Sequence, residues 1–233
     1  MARMPLVLMI FKPSFISPLM PLTGQRRLVK ATEQYDGALS VELEWKPHII
    51  DPTVSLQGEL FETYCKKRWG STAVHARVFT EGAKEGLKLA GWKWWANSAR
   101  AHQWVQYGLR AGIPSLMTTS VLFEAHFEHG ENLSLVDTLV RLAATHFPSW
   151  NQDDLRVFLE SNLGQEDLQK ALHRGKVEDR CSSVPFFVVH APNGVNLPMT
   201  GSHPTEDFVQ IFQELEADVT REEDADIRME MNH

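Results

Sequence analysis

The side chains of this 233-residue chain that could do covalent chemistry include two cysteines, Cys65 and Cys181. A dithiol catalyst needs two sulfurs whose Cα atoms lie within ~7 Å, and a Cys-x-x-Cys motif provides this locally. No such motif occurs, and residues 1–64 contain no cysteine. We therefore expect no dithiol oxidoreductase activity. Two cysteines are also too few for a disulfide scaffold or a cysteine-built zinc site.

Cys181 and His102 are the candidate nucleophile and the candidate general acid–base. Cys181 would need a depressed thiol pKa, which the adjacent Arg180 could provide. The favoured alternative is a small, partly buried hydrophobic residue, as free cysteines commonly are. An imidazole such as that of His102 titrates in the useful range. The favoured alternative for His102 is a ring that packs and hydrogen-bonds between two domains. The ten histidines show no metal-ligand spacing, so no metal site is expected.

The composition is that of an ordinary globular protein, with 43% hydrophobic and 23% charged residues. The net charge of −7 is concentrated in residues 214–233, which leaves a nearly neutral body without a basic stripe. Nucleic acid is therefore not expected as a partner. No apolar run approaches the ~20 residues of a membrane helix, and residues 6–11 are too few for a signal peptide. We expect a cytoplasmic protein with no membrane partner.

The start of the chain predicts a β-α-β unit. A continuous apolar run at residues 6–11 is typical of a strand buried on both faces. A helical pattern at residues 23–35 is followed by an alternating pattern at residues 39–45, which predicts a second strand. Two strands joined by one helix indicate a right-handed parallel crossover.

The end of the body predicts a β-β-α unit. Residues 184–190 have strand character, and Asn193-Gly194 is the strongest short hairpin signal. Pro204 is placed to begin an amphipathic helix.

The middle of the chain, residues 58–173, has helical periodicity and no convincing strand. Within it, Ser134 and Asp137 resemble a capping box. From residue 218 onward the apolar content is too low for packing, so this segment is expected to be mobile. The predicted organisation is a divided α/β domain (1–57 and 174–217), an inserted all-helical domain (58–173) and an acidic mobile tail (218–233).

Six segments carry a resemblance to a known family. Their order and spacing are similar to those of the DsbA-like family, specifically its FrnE-type branch. Kappa-class glutathione transferases and 2-hydroxychromene-2-carboxylate isomerases are cousins of that branch. The resemblance implies a thioredoxin-like fold of β-α-β and β-β-α halves with an inserted helical domain. The segments are Gly24-Gln-Arg-Arg-Leu28, residues 45–52, 96–102, 122–127, 183–188 and 201–208.

The chain departs from the family at the reactive motif. Redox members carry Cys-Pro-Trp-Cys just before the stretch that resembles Gly24–Leu28, and here the residues are Pro18-Leu-Met-Pro21. The cousins place Ser-Pro at this point and use the hydroxyl to hold the thiolate of glutathione, which Ser17 could imitate. Their Asp-Arg pair at the last helix is replaced by His203-Pro204. No cofactor is therefore expected, and glutathione is the only one that the resemblance suggests.

The resemblance also implies where a ligand would bind. The family has a cis-proline where Pro185 stands, and the backbone of Val184 would then face an extended ligand. The predicted site lies in the interdomain cleft, where a tryptophan could form an aromatic wall or, equally, anchor a loop on the helical core. The expected binding residues are Ser17, Leu19, Met20, Trp92, Trp94, Trp95, Asn97, His102, Cys181, Ser183, Val184 and Pro185.

Three functions remain open at this point. The first is an enzyme that binds an apolar small molecule and steers an isomerisation or cyclisation in a biosynthetic pathway by shape and preorganised dipoles. The second is a non-catalytic binding or scaffolding protein that forms a homodimer through its helical domain. The third is a glutathione-dependent transferase or isomerase that uses Ser17.

Overall fold

The computed structural model describes residues 5–11, 19–49, 51–84, 86–89, 91–177 and 185–230. A four-stranded sheet has the strand order β2-β1-β5-β6. Strands β1 and β2 are parallel, and the other neighbours are antiparallel. The strands are β1 (Pro5–Phe11), β2 (Ser40–Lys46), β5 (Phe186–His190) and β6 (Asn196–Thr200).

The predicted β-α-β unit is confirmed, with helix α1 (Leu19–Gln34) joining β1 to β2. The helix begins four residues earlier than the sequence pattern indicates. Pro21 lies in its first turn, where a missing backbone N–H breaks no helical hydrogen bond. Leu28 and Ala31 of α1 are fully buried in the core that the helix shares with the sheet.

The predicted β-β-α unit is also confirmed. Gly194 has φ +85°, and the turn closes with the N–H of Ala191 donating to the carbonyl of Val195 (2.9 Å). The helix that follows, α9 (Thr205–Glu230), buries Phe208 and Phe212 in the same core as α1.

The segment from residue 218 continues α9 as far as Glu230, and its expected mobility stays a prediction. Val219 is only 5% exposed, so the apolar content is sufficient for at least one packing contact. The segment contains neither glycine nor proline to end the helix, and Arg221 pairs with Asp218 at i,i+3 (2.6 Å).

The inserted region is helical, as predicted, and it packs on the sheet through α5. The N–H of Trp45 in β2 donates to Ser115 Oγ at the start of α5 (2.8 Å). The helices are α2 (Phe61–Trp69), α3 (Ala73–Lys84), α4 (Ala99–Arg110), α5 (Ser115–Phe123), α6 (Val136–His146), α7 (Gln152–Glu160) and α8 (Asn162–Val177). A π turn (Glu124–Glu128) continues α5.

Two expectations for this region are wrong. Two short strands, β3 (Glu59–Leu60) and β4 (Trp94–Trp95), pair in antiparallel fashion where no strand was expected, because two-residue strands leave no periodic pattern. The capping box does not form: Ser134 Oγ accepts the N–H of Asn97 (2.9 Å), and α6 begins without a side-chain cap. The helical region also extends past residue 173, because α8 ends at Val177.

Candidate functional site

The candidate site lies at the edge of the sheet where β1 and β2 end. Phe11, the last residue of β1, pairs with Lys46 of β2 and with Phe186, the first residue of β5. The first turn of α1 and Pro185 therefore belong to the same edge as the loop that follows β2. In open α/β sheets ligands bind at this carboxyl edge.

Helix α1 packs closely against the proline. A methyl group on Gly24 would lie 3.1 Å from Cζ of Phe187 and 3.8 Å from Cγ of Pro185. The carbonyl of Pro185 accepts the N–H of Gly201 (2.9 Å), which fixes the proline against the loop before α9. The structure thus brings together α1 and Pro185, as the resemblance implied.

Part of the predicted site lies outside the described residues. Ser17, Cys181, Ser183 and Val184 are in that group, so their expected roles stay predictions. Leu19 and Met20 form the first turn of α1. Three of the four residues that replace the reactive motif, residues 19–21, therefore stand at the start of this helix.

His102 is brought to the same edge. It is 4% exposed, and its Nε2 donates to the carbonyl oxygen of His48 (3.2 Å), two residues beyond β2. This geometry matches the interpretation in which the ring packs and hydrogen-bonds between the two parts of the fold. Burial lowers the pKa of His48 itself.

Two interpretations, an aromatic wall and anchoring on the helical core, were open for Trp92 and Trp95. These side chains are 2% and 1% exposed, and Phe61 stacks on Trp92 with ring centroids 3.7 Å apart. Tyr64 covers Trp95 at 3.8 Å. This burial and stacking match the interpretation in which both rings anchor the chain on the helical core, and ligand binding by either ring stays a prediction.

Trp94 and Asn97, which were also expected to bind the ligand, make hydrogen bonds to neighbouring segments. Trp94 lies in β4, and its carbonyl accepts the indole N–H of Trp92 (2.7 Å). The amide of Asn97 donates to the carbonyl of Val54 (2.8 Å) and accepts from the N–H of Ala99 (3.1 Å). Asn97 therefore binds the first N–H of α4 and ties the start of this helix to a loop.

A polar group near Pro185 was missed by sequence analysis. Arg27 Nη1 lies 3.5 Å from both Ser202 Oγ and the carbonyl oxygen of His203. The ring of His203 donates from Nε2 to the carbonyl of Thr200 (3.1 Å), and its Nδ1 lies 3.3 Å from Asp207. Sequence analysis noted His203-Pro204 as the replacement for the cousins' Asp-Arg pair, which says nothing about the neighbouring Arg27 on α1.

Comparisons with known proteins establish the fold. No family model matches the chain, and no curated protein matches it. A probable DsbA oxidoreductase from Streptomyces coelicolor has a similar structure, with a TM-score of 0.73 and 18% identity over 90% of this chain and 89% of that chain. A putative protein disulfide isomerase from Nitrosomonas europaea has a TM-score of 0.64 and 13% identity, and the match covers 90% of this chain and 97% of that chain. The cytosolic disulfide reductase DsbM from Pseudomonas aeruginosa has a TM-score of 0.56 and 11% identity, and the match covers 93% of this chain and 98% of that chain.

These similarities show that the chain has a DsbA-like thioredoxin fold with an inserted helical region. Within the described residues, none of the helices has the length and apolar character needed to span a membrane.

Proposed function

We propose that this chain is a DsbA-like protein that acts without a dithiol. It binds an apolar small molecule at the carboxyl edge of the sheet and catalyses an isomerisation or cyclisation. The observation that carries the proposal is at the start of α1. The helix and Pro185 meet as the fold requires, yet the motif position reads Pro18-Leu-Met-Pro21. Cys65 does not substitute for the motif, because it is fully buried in α2.

The site has the parts that a shape-driven reaction needs. Leu19 and Met20 supply apolar character at the first turn of α1, where unpaired backbone N–H groups can stabilise negative charge on a ligand oxygen. The Ser17 hydroxyl, the Val184 backbone and Arg27 are the proposed orienting groups. Holding one conformer and stabilising the charge that develops on a ligand oxygen lowers a barrier without a nucleophile. We place the chain with the FrnE-type branch, in the cytoplasm, on the same resemblance.

The first test restores the missing motif. The double variant Pro18→Cys/Pro21→Cys is expected to form a disulfide across the first turn of α1 and to gain insulin-reducing activity, because the rest of the site is retained. Wild type and the single variant Pro18→Cys should be inactive. If the wild-type chain reduces insulin and this activity survives Cys65→Ala and Cys181→Ala, the proposal is wrong. A folded double variant that stays reduced under oxidant would contradict the placement of the motif.

The second test separates the proposed reaction class from glutathione chemistry. DsbM has also been solved with glutathione, and Ser17-Pro18 resembles the dipeptide of glutathione-dependent cousins. We would screen glutathione and a panel of polyketide-like and terpene-like compounds by calorimetry and by crystal soaking. Binding of an apolar compound beside Met20 supports the proposal. Glutathione binding that is lost in Ser17→Ala would replace it with the transferase or isomerase alternative.

A further inference from the structure

A cavity lies on the side of α1 that faces away from the candidate site at the carboxyl edge of the sheet. It has a volume of about 700 Å³ and opens between the middle of α1 and two segments of the helical region, residues 87–89 and 120–128. Small-molecule pockets in proteins have volumes of ~300–1,000 Å³. Gly24 and Arg27 face Pro185 and the start of α9, whereas Gln25 and Val29 line this cavity. The cavity is therefore separate from the site proposed above.

The floor of the cavity is apolar and firmly held. Leu87, Leu89 and Phe127 line it and are 7%, 4% and 4% exposed, because they also belong to the aromatic core around Trp92. Val29 from α1 and Phe123 from α5 complete the apolar surface. A floor that is part of a packed core does not need to rearrange before a ligand binds, which favours affinity.

Gln25 is the feature that points to a ligand. Gln25 is 8% exposed and lines the cavity. Its amide makes no hydrogen bond with any part of the chain that the structure describes. The two polar atoms of this amide are not among the fully buried ones, so they open on the cavity, where water or a ligand satisfies them. A ligand oxygen in the cavity would accept from this amide.

The charges near Gln25 indicate the sign of that ligand. Arg26 and Lys88 share a single carboxylate, that of Glu128, at 3.8 and 3.5 Å. Arg26 also donates to the carbonyl of Gly86 (2.7 Å), which holds its guanidinium at the rim. Because one carboxylate neutralises only one of the two cations, the end of the cavity beside Gln25 has an excess of positive charge.

The whole lining carries three basic and three acidic side chains, so the positive excess is confined to the end beside Gln25. Lys30, one turn further along α1, makes no ion pair within the described residues. Of the two remaining carboxylates, Glu124 lies 3.4 Å from His129, and Glu33 is exposed two turns away from Gln25.

We infer that this cavity binds an apolar monocarboxylic acid. The apolar body lies on the floor formed by Phe123, Phe127 and the two leucines. The carboxylate accepts from the Gln25 amide and is neutralised by Arg26 and Lys88. Charge-assisted hydrogen bonds of this kind are stronger than neutral ones.

The test uses three soluble probes with the same aromatic body and isothermal titration calorimetry. Naphthalene-2-carboxylate should bind at least ~10-fold more tightly than 2-naphthalenemethanol, because one charge-assisted contact corresponds to about that factor. 2-Naphthylmethylamine should bind least well. The affinity for the carboxylate should also fall as salt is raised, since Arg26 and Lys88 are exposed. Equal binding of the three probes, or preference for the amine, would overturn the proposal.

A matched pair of variants locates the binding. Gln25→Glu places a like charge beside the ligand and should weaken binding of naphthalene-2-carboxylate ~10-fold or more. Gln34→Glu makes the same change at an exposed position of α1 outside the cavity and should change it less than ~2-fold. Arg26→Gln should weaken it several-fold. If Gln25→Glu and Gln34→Glu behave alike while both remain folded, binding occurs elsewhere and the assignment fails.

Discussion

The two sides of α1 differ in how completely they are packed. One side faces the sheet and α9, and there Leu28 and Ala31 have no exposed surface. The other side faces the helical region across a cavity of about 700 Å³, and there Val29 is only partly buried. The same helix thus serves as a core element on one side and as the wall of a binding site on the other.

The difference follows from what stands opposite each side. The sheet and α9 present large apolar side chains, among them Phe187, Phe208 and Phe212, which fill the space down to α1. Within the described residues, the helical region meets α1 through α3, the segment 87–89 and the end of α5, and charged side chains such as Lys88 and Glu128 line the gap. We expect substitutions on the packed side to reduce stability and substitutions on the open side to alter binding.

The largest expected difference in stability is between alanine substitutions of two neighbouring residues on opposite sides of α1. Leu28→Ala should reduce the free energy of unfolding by ~2–5 kcal/mol, because it leaves a cavity in a filled core. Val29→Ala should reduce it by less than ~1 kcal/mol, because its side chain already borders open space. Urea unfolding followed by circular dichroism measures both. Equal losses would mean that the two sides of α1 are equally packed in solution.

The free energy of unfolding should depend on pH through His126, which lies in the π turn beside the cavity. Burial lowers the pKa of this histidine to about 4, and its Nδ1 donates to the carbonyl of Glu131 (2.9 Å). Between pH 6.5 and about 4 the unfolded chain binds a proton that the folded chain does not, so stability falls as the pH is lowered through this range. The loss from this group approaches ~3 kcal/mol.

The matched variants for this prediction are His126→Asn and His146→Asn. His126→Asn keeps a side-chain N–H for Glu131 and removes the titrating group, so the pH dependence of the unfolding free energy should flatten. His146→Asn makes the same substitution at an exposed position of α6 and controls for the change of residue type. An unchanged slope in folded His126→Asn would show that His126 does not carry the effect.

A smaller effect is expected where the packed side of α1 ends. The hydroxyl of Tyr35 donates to Glu216 in α9 (2.8 Å) and accepts the N–H of Leu39 (3.3 Å). Tyr35→Phe should cost ~1–2 kcal/mol of unfolding free energy, because it leaves a buried N–H without this acceptor. Tyr107→Phe removes only a 3.5 Å contact near the surface and should cost less than ~0.5 kcal/mol. Thermal unfolding of both variants tests the contrast.

The smallest effect concerns the end of α9, which extends the packed side. A chain that stops after Ala217 loses Val219 and should be less stable by about 1 kcal/mol. A chain that stops after Glu222 keeps Val219 and should match the full-length protein within ~0.5 kcal/mol. Unfolding midpoints of the two truncated chains provide the comparison. Identical midpoints would restore the expectation that packing ends near residue 218.

Sequence patterns predicted the elements whose signals are local. The apolar run of β1, the Asn193-Gly194 turn and the spacing of Phe208 and Phe212 each lie within one element, and the structure has all of them. The contacts that it missed join distant residues. Ser134 was taken as a cap, but its hydroxyl binds Asn97, which is far away in sequence.

The candidate site shows the same division. Without side-chain geometry, a tryptophan can equally be a ligand surface or a core anchor, and the stacking of Phe61 and Tyr64 favours the core anchor for Trp92 and Trp95. Similarly, Gln25 is one polar residue of an amphipathic helix in the sequence. Its burial beside a cavity depends on the segment 87–89, which the chain brings there only on folding.

The sequence by itself determined the order of the β-α-β unit, the helical region and the β-β-α unit, the absence of a Cys-x-x-Cys motif and the Pro18-Leu-Met-Pro21 segment in its place. These are properties of residue type and of short-range spacing, which need no knowledge of distant contacts. Only the tertiary structure decided which side of α1 is filled and which is open. That outcome depends on how the side chains of remote segments fit together, and packing of this kind is not encoded in any local pattern.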